Sequence, residues 1–406
     1  MSALHRLALG LSLGTVAFGC QPAAEPQGGE PGADTPGTAG DIVLGVAGPF
    51  TGESAQFGFQ IEKGVAIALA EINGAGGING RQVRIVQVDD EGLPNVAGTV
   101  ARQLAQNPEV LAVVGHFNSR CSLTGIEIYK EAGLVMLSPA STNSTLCRAN
   151  RPWAFRNIFN DEFQGQTLAN YIHGVLGLQT AAVIYENDDY GRGLKDHFLA
   201  RARELGLQVV AEQAYDSTTA DFTPLVRTAI NANPQIIVMS GLYTQAARIA
   251  QATRELGSSL PLIGGDGVFS EEYMNLAGAA AEGTLVTTPF LFELAGDRAA
   301  SFMAEYERRY PGVQPDAWAA LAYDAVKILC EAIERRGAGR TAIREHLESI
   351  NSPETAYQGL TGNTYFNADG DCLRPIQVAQ VQGGHFGPAP RQFEGVGPAT
   401  AGQASE

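Results

Sequence analysis

The sequence predicts an α/β protein built from two doubly wound parallel sheets. Short runs of Val, Ile and Leu alternate with helix-periodic segments along most of the chain. The strand runs are continuously apolar instead of alternating with polar residues, which is typical of parallel strands covered on both faces. The 406 residues suit two packed sheets better than one.

The first series of elements begins after residue 41. The helix predicted at residues 55–73 places Ile61, Val65, Leu69 and Ile72 on one face. The next predicted helix, 95–106, ends at Asn107-Pro108, because proline cannot continue a helix. The remaining predicted elements of this series are the strands 42–46, 83–88, 111–114 and 134–137 and the helix 121–131.

A second series of alternating elements follows residue 156. Its predicted helices are 163–176, 192–205, 222–231 and 244–256, and its predicted strands are 181–185, 209–211, 236–239 and 262–263. Two long helices, 297–310 and 316–336, and two strands, 360–366 and 376–380, complete the predicted body. Residues 389–406 are rich in Pro, Gly and Ala and are predicted to form a flexible tail.

Composition and motifs exclude several classes of function. The chain has 27 Lys and Arg against 43 Asp and Glu, a net charge of −16, without a basic cluster. This balance argues against a nucleic-acid partner. No apolar run reaches the roughly 18 residues of a membrane-spanning helix. The sequence lacks the common nucleophile, zinc-protease, phosphate-loop and dinucleotide motifs. We therefore expect no enzyme activity, no metal and no cofactor.

The first forty residues are predicted to be a leader and a tether. An apolar run at 7–18 is followed by Gly19-Cys20, the order of a secretory signal peptide spanning residues 1–20. A Cys at the cleavage site resembles the lipobox of bacterial lipoproteins, which implies lipid attachment at Cys20; the alternative is an ordinary signal peptide. Thirteen of the twenty residues at 21–40 are Pro, Gly or Ala, which predicts a flexible linker.

Export would place the remaining four cysteines in an oxidising compartment. Pairing of nearest neighbours along the chain gives the disulfides Cys121–Cys147 and Cys330–Cys372. Four cysteines allow three connectivities, and four free buried thiols are the alternative.

Ligands of doubly wound sheets bind beyond the carboxyl ends of the strands. The loops after the strands 111–114 and 134–137 contain Ser119, Ala140 and Thr142 and are dense in hydroxyl and backbone N–H groups. This combination suits a carboxylate or another anion, and helix capping by Ser and Thr is the alternative.

The loops of the second series have a different chemistry. Tyr190 and Tyr243 follow two of its strands, and Asp266 follows a third between glycines. A carboxylate in an aromatic-lined cleft suits a cation. A structural turn residue is the alternative for Asp266, because Asp-Gly is a common turn pair.

Several segments resemble the leucine/isoleucine/valine-binding proteins of bacterial ABC importers, which have the type I periplasmic binding fold. The resemblance covers about residues 41–386. It rests on the segments Ile42-Val43-Leu44-Gly45-Val46-Ala47-Gly48-Pro49-Phe50-Thr51-Gly52, Ala70-Glu71-Ile72-Asn73-Gly74-Ala75-Gly76-Gly77-Ile78-Asn79-Gly80, Val114-Gly115-His116, Leu137-Ser138-Pro139-Ala140-Ser141-Thr142-Asn143 and Asn187-Asp188-Asp189-Tyr190-Gly191-Arg192-Gly193.

The resemblance implies two lobes joined by a hinge of three crossings. Lobe 1 would comprise residues 41–159 and 289–369, and lobe 2 would comprise residues 160–288 and 370–388. The family's amino-acid site would place the carboxylate-binding residues at Ser119, Ala140 and Thr142 and the ammonium-binding acid at Asp266. Its aromatic walls would fall on Phe57, Tyr190 and Tyr243.

Three positions depart from the family pattern. Asp266 stands where the branched-chain proteins have Glu, Phe57 where Tyr is typical, and Asn118 where they have Cys. The disulfide predicted at Cys121 is therefore not the family's own.

By resemblance, the chain is expected to be a monomeric extracytoplasmic lipoprotein, in the periplasm or on the cell surface. It would capture an α-amino acid, branched-chain or otherwise apolar, and deliver it to the permease of an ABC importer. Sensing of amino acids is the alternative function, and amides, urea and aromatic acids are the alternative ligands.

Overall fold

The computed structural model describes residues 40–393, and two parallel sheets dominate it. The predicted leader, the linker up to residue 39 and the lipid-attachment residue Cys20 lie outside the described residues. Among the residues that are described, no helix is both long and apolar enough to cross a membrane.

The first sheet contains five parallel strands in the spatial order β2-β1-β3-β4-β5. Its core side chains are the Val, Ile and Leu residues that formed the continuous apolar runs of the sequence. The strands are β1 (Ile42–Gly48), β2 (Val83–Asp89), β3 (Val110–Val114), β4 (Val135–Ser138) and β5 (Ala154–Arg156).

The second sheet contains seven strands in the order β14-β13-β10-β9-β8-β6-β7. Five are parallel, and β13 and β14 add antiparallel strands at one edge. The strands are β6 (Thr180–Glu186), β7 (Gln208–Tyr215), β8 (Ile236–Ser240), β9 (Leu262–Gly264), β10 (Leu285–Thr288), β13 (Gln377–Gln382) and β14 (His385–Pro388).

Helices connect the strands and cover the sheets. The helices that alternate with the strands of the first sheet are α1 (Ala55–Gly74), α2 (Pro94–Gln106), α3 (Ser119–Glu131) and α4 (Thr145–Ala149). The helices among the strands of the second sheet are α5 (Asp161–Asn170), α6 (Asp189–Leu205), α7 (Thr223–Asn231), α8 (Tyr243–Glu255) and α9 (Glu271–Ala277). Next come α10 (Ala300–Arg309), α11 (Ala317–Arg336) and α12 (Arg340–Ser349).

The chain passes between the two sheets three times. It leaves the first sheet after β5, returns after β10 to pack α11 against α1, and reaches the second sheet again at β13. Gly64 permits the close contact of α1 with α11, because a Cβ there would lie 2.0 Å from the carbonyl oxygen of Ala319. The predicted fold class is therefore confirmed, and the lobe boundaries at residues 159, 288 and 369 remain predictions.

Three expectations need correction at the end of the chain and at the cysteines. The strand predicted at 360–366 is a hairpin of β11 (Tyr357–Gly359) and β12 (Gly362–Thr364). It turns because the Asp324 carboxylate accepts hydrogen bonds from the amides of Leu360 and Thr361. Residues 389–393 are not loose, since the side chain of Gln392 exchanges hydrogen bonds with the backbone of Val378.

The predicted disulfides are not formed in the structure. Cys121, Cys147, Cys330 and Cys372 are all buried free thiols. The Cys147 thiol lies 3.3 Å from Nε of Arg156, so its local partner is a guanidinium group. Burial raises the pKa of Cys147 to about 12, which keeps the thiol protonated and unreactive. Order along the chain was therefore a poor guide to pairing.

Candidate functional site

A narrow cavity lies where the carboxyl ends of strands from both sheets meet. Its volume is about 20 Å³. Five of the seven residues predicted for the ligand site line it: Ser119, Ala140, Thr142, Tyr190 and Asp266. All five are buried. The structure thus brings together two groups of loops whose most distant members, Ser119 and Asp266, are 147 residues apart in the sequence (266 − 119).

The first wall of the cavity is formed by the start of α3 and the loop after β4. Ser119 is the first residue of α3, where backbone N–H groups lack helical partners and favour an anion. The hydroxyl oxygen of Ser119 accepts a 3.3 Å hydrogen bond from the amide of Asn143. Its own O–H group is left to donate. Ala140 and Thr142 add further backbone and hydroxyl groups on this wall.

A buried polar network fixes this wall. His116 lies between Asp90, 2.6 Å from its Nδ1, and the Tyr129 hydroxyl, 3.0 Å from its Nε2. The carbonyl of His116 accepts hydrogen bonds from the hydroxyls of Ser138 and Ser141 at 2.8 and 3.2 Å. These bonds join the loop after β3 to the loop after β4, so the hydroxyl-rich wall is held as one unit.

The second wall contains the carboxylate. Asp266 is 2 % exposed and begins a short 3-10 turn after β9. The Tyr190 hydroxyl donates a 2.7 Å hydrogen bond to Oδ1 of Asp266 and accepts one from the amide of Gly267. A Cβ at Gly265 would lie 2.6 Å from the Tyr190 hydroxyl. A side chain at position 265 would therefore clash with Tyr190. Because Asp266 accepts a hydrogen bond from the distant Tyr190, it does more than form a local turn.

The electrostatics of this wall are strongly negative. Burial raises the pKa of Asp266 to about 6, although hydrogen bonding with Gln164, Tyr190 and Gly267 opposes the increase. Burial also raises the pKa of Asp161 and of Asp188, and Asp188 lines the cavity itself. None of the salt bridges among residues 40–393 involves Asp266. A buried carboxylate without a cationic side chain is the chemical requirement for a cationic ligand group.

Two predicted wall residues lie outside the cavity lining. Phe57 is fully buried behind it, stacked on Phe117 with ring centroids 4.1 Å apart. Tyr243 contacts the edge of Phe57, and its hydroxyl donates a 2.8 Å hydrogen bond to the carbonyl of Glu53. The preceding residue, Leu242, lines the cavity instead. Phe57 and Tyr243 therefore support the wall, and their predicted place on its surface is corrected.

Sequence reasoning missed several lining residues. Trp318 is the most prominent, since it lies on α11, far along the chain from every loop that was considered. Its indole N–H donates a 3.0 Å hydrogen bond to the carbonyl of Phe269, and its ring packs edge-on against Phe57 and Phe117. No spacing signal could have found it. The other missed lining residues are Phe117, Asn118, Asp188, Leu242 and Gly267.

Direct hydrogen bonds cross the cleft around the cavity. Besides the bond of Tyr243 to Glu53, the side-chain amide of Gln245 donates to the Glu53 carboxylate at 3.1 Å. The side-chain amide of Asn143 donates to the carbonyl of Asp189 at 2.8 Å. Because Glu53 and Asn143 follow strands of the first sheet and their partners belong to helices of the second, these bonds hold the two halves in a closed arrangement.

The described part of the chain contains no cluster of His, Cys, Asp and Glu suited to a metal ion. The cavity has one wall rich in hydroxyl and backbone N–H groups, one wall with a carboxylate, and an apolar surface between them.

Comparison with known proteins places this cleft in a family. A model of periplasmic binding proteins matches residues 41–385. An amino acid binding protein of Pseudomonas aeruginosa is 33 % identical over 304 residues, 74 % of this chain and 80 % of that protein.

Two solved structures are similar over nearly their full lengths. The leucine binding protein LivK of Thermotoga maritima is 30 % identical with a TM-score of 0.81, covering 86 % of this chain and 97 % of that one. The branched-chain amino acid transporter substrate binding protein LivJ of Streptococcus pneumoniae, in complex with isoleucine, is 27 % identical with a TM-score of 0.79 and covers 85 % and 97 %. The chain therefore belongs to the periplasmic binding protein family, among the leucine/isoleucine/valine-binding proteins.

Proposed function

We propose that the protein captures an apolar α-amino acid in this cleft, outside the cytoplasm, and delivers it to an ABC importer. The observation that carries the proposal is Asp266, a buried carboxylate without a cationic side-chain partner among the described residues. The ammonium group of an amino acid supplies the missing charge. The carboxylate of the same ligand would bind Ser119, Thr142 and the N–H groups at the start of α3 on the opposite wall.

The middle of the cavity favours an apolar ligand side chain. Phe117, Leu242 and Trp318 supply apolar surface between the two polar walls. No Lys or Arg lines the cavity within residues 40–393, so an acidic side chain would lack a partner. The isoleucine complex of the S. pneumoniae relative supports the branched-chain amino acids as first candidates.

Binding of one zwitterion to both walls would favour the closed arrangement. The ligand can shift the equilibrium between open and closed forms only by its difference in affinity for them. Closure around the ligand would then distinguish the loaded protein from the empty one at the permease. The proposal includes a monomeric protein held at the membrane through Cys20, as the leader sequence predicts.

Calorimetric titration of the ligand-stripped protein tests the ligand class. Leucine, isoleucine and valine are titrated beside glutamate, lysine, urea, acetamide and benzoate. Saturable binding confined to apolar amino acids supports the proposal. Binding of an amide or of benzoate, without binding of any amino acid, would still support the cleft as a ligand site. It would contradict the proposal that Asp266 binds an ammonium group. Uptake of labelled amino acid by vesicles that contain the permease tests delivery.

A further inference from the structure

A second cavity, larger than the cleft, lies beyond the contact of Trp318 with Phe269. Its volume is about 590 Å³, and it shares no lining residue with the first cavity. One side is formed by α10 and the start of α11, and the other by the segment that leads into α9 and by β14. An occupant would therefore touch parts of the chain that belong to both halves of the molecule.

The body of this cavity is aromatic and aliphatic. Its apolar lining includes Phe269, Phe290, Phe292, Met274, Met303 and Phe386. Phe292, Met274, Met303 and Phe386 are only half-buried, so their apolar surface remains open to an occupant. Pockets of this size and character are typical of small-molecule sites.

Three carboxyl groups line the cavity, and no Lys or Arg does so among the described residues. The carboxyl groups belong to Glu271, Glu293 and Asp316, and the exposed His385 is the one other titratable side chain of the lining. Asp316 is the innermost of the three: it is half-buried, and the two glutamates are exposed at the rim. Its Oδ1 accepts the amides of Trp318 and Ala319 at the start of α11, whereas Oδ2 accepts no hydrogen bond from the described residues.

Asp316 is poised to respond to a cation. Burial raises its pKa to about 7, although the amides of Ala319 and Trp318 and the charge of Lys63 oppose the increase. Its carboxyl group is therefore only partly ionised at neutral pH, and a bound ammonium group would favour the ionised form.

We infer that this cavity is a second ligand site, separate from the amino-acid cleft, for a small amine with an aromatic or aliphatic body. The apolar body would pack against Phe290 and against the rings of Phe269 and Phe386, which contact each other. The ammonium group would bind Asp316, with the rim glutamates adding a weaker attraction. This inference rests on the cavity alone and does not require the function proposed for the cleft.

Three probes of similar shape and different charge test the inference. Phenethylamine, phenethyl alcohol and phenylacetate are titrated calorimetrically into the ligand-stripped protein at neutral pH. We expect phenethylamine to bind with one-to-one stoichiometry, about tenfold or more tightly than the alcohol, and phenylacetate to give no saturable heat. Equal binding of all three probes would overturn the charge argument.

Substitutions locate the probe. Asp316→Asn keeps a residue that caps helices well and should reduce binding of phenethylamine to that of the alcohol. Ala300→Trp places an indole against the cavity and should abolish binding. Ala304→Trp is the matched control, because it adds the same side chain to the same exposed helix outside the cavity lining. Probe binding that survives in Ala300→Trp would refute this location.

A competition separates the two sites. In the presence of saturating leucine, one molecule of phenethylamine should still bind per protein. The Asp266→Ala variant should bind phenethylamine with unchanged affinity. Displacement of phenethylamine by leucine, or its loss in Asp266→Ala, would show that the probe enters the cleft and would overturn the second site. If leucine fails to bind at all, the Asp266→Ala and Ala300→Trp variants still decide the question, so the two proposals fail independently.

Discussion

Replacing Asp266 with Asn separates the contribution of this residue to ligand binding from its contribution to stability. The variant keeps the size and one acceptor oxygen of the side chain and removes its charge. A bound ammonium group would then lose its buried ionic partner, at a cost of about 3–5 kcal/mol. This corresponds to a loss of about two to four orders of magnitude in affinity for the amino acid.

The same substitution should stabilise the ligand-free protein. The pKa of Asp266 lies at about 6 instead of its ordinary 3.8, which corresponds to about 3 kcal/mol of unfavourable charge burial at neutral pH. Because the folded carboxyl group binds its proton more tightly than the unfolded one, stability falls as the pH rises from about 4 to about 6. Asn removes this cost and weakens the hydrogen bond from Tyr190, so we expect a net gain of about 1–3 kcal/mol.

Calorimetric titration and chemical unfolding of the ligand-stripped variant measure the two effects. Asp221→Asn is the matched control, because Asp221 is exposed and lies on a loop outside both cavities. The expected result is lost binding together with raised stability. Unchanged amino-acid binding would refute the assignment of the ammonium site. A loss of binding accompanied by lower stability would instead indicate damage to the fold and would contradict the expected cost of the buried charge.

Four further results are expected. Amino-acid affinity should fall about fivefold from pH 6 to pH 5, because the free protein must lose the Asp266 proton to bind the cation. Titration across this range checks the prediction, and an affinity that does not change with pH would contradict it. Ser119→Ala should weaken amino-acid binding by about 1.5–3 kcal/mol, because the ligand carboxylate loses a hydrogen bond. Calorimetric titration measures this loss, and an unchanged affinity would exclude Ser119 as a carboxylate-binding residue. Tyr243→Phe removes the hydrogen bond to Glu53 across the cleft and leaves the cavity lining unchanged. It should weaken ligand binding by about tenfold or less and give a more open ligand-free form in small-angle scattering. An unaltered scattering profile would argue that this hydrogen bond does not hold the cleft closed. A thiol reagent should label none of the four buried cysteines in the native protein and all four after unfolding without reductant; a pair that resists labelling when unfolded would reveal a disulfide.

The fold could be predicted from local pattern because its strands are buried on both faces. Continuous apolar runs such as residues 111–114 and 236–239 are typical of buried strands, and these two predicted strands lie within the observed β3 and β8. The later part of the chain carried weaker signals. Strand β10 and helix α9 were missed, and the turn inside the 360–366 segment depends on Asp324, a residue of a distant helix. Local sequence does not record a contact of that kind.

The candidate site was predicted in its polar parts and less well in its apolar parts. Ser119 and Thr142 follow strands of the first sheet and Asp266 follows a strand of the second. The carboxyl edge of a parallel sheet is where ligand-binding residues are expected, and the two edges meet at the cavity. Leu242 precedes α8 in an extended conformation and Tyr243 is the first helical residue, and it is the side chain of Leu242 that meets the cavity. Trp318 arrives through the packing of α11 on α1, which no local pattern predicts.

The position of Trp318 gives the protein a built-in optical signal. The chain has two tryptophans, and Trp153 lies away from the cleft with the Arg344 guanidinium 5.0 Å from the centre of its ring. Trp318, in contrast, is shielded from water and lines the cavity beside Phe117. Its emission depends on the polarity around an indole that an incoming ligand would contact directly. Changing Trp153 to Phe would leave a single emitter inside the cleft, so occupancy could be followed in real time without any attached dye.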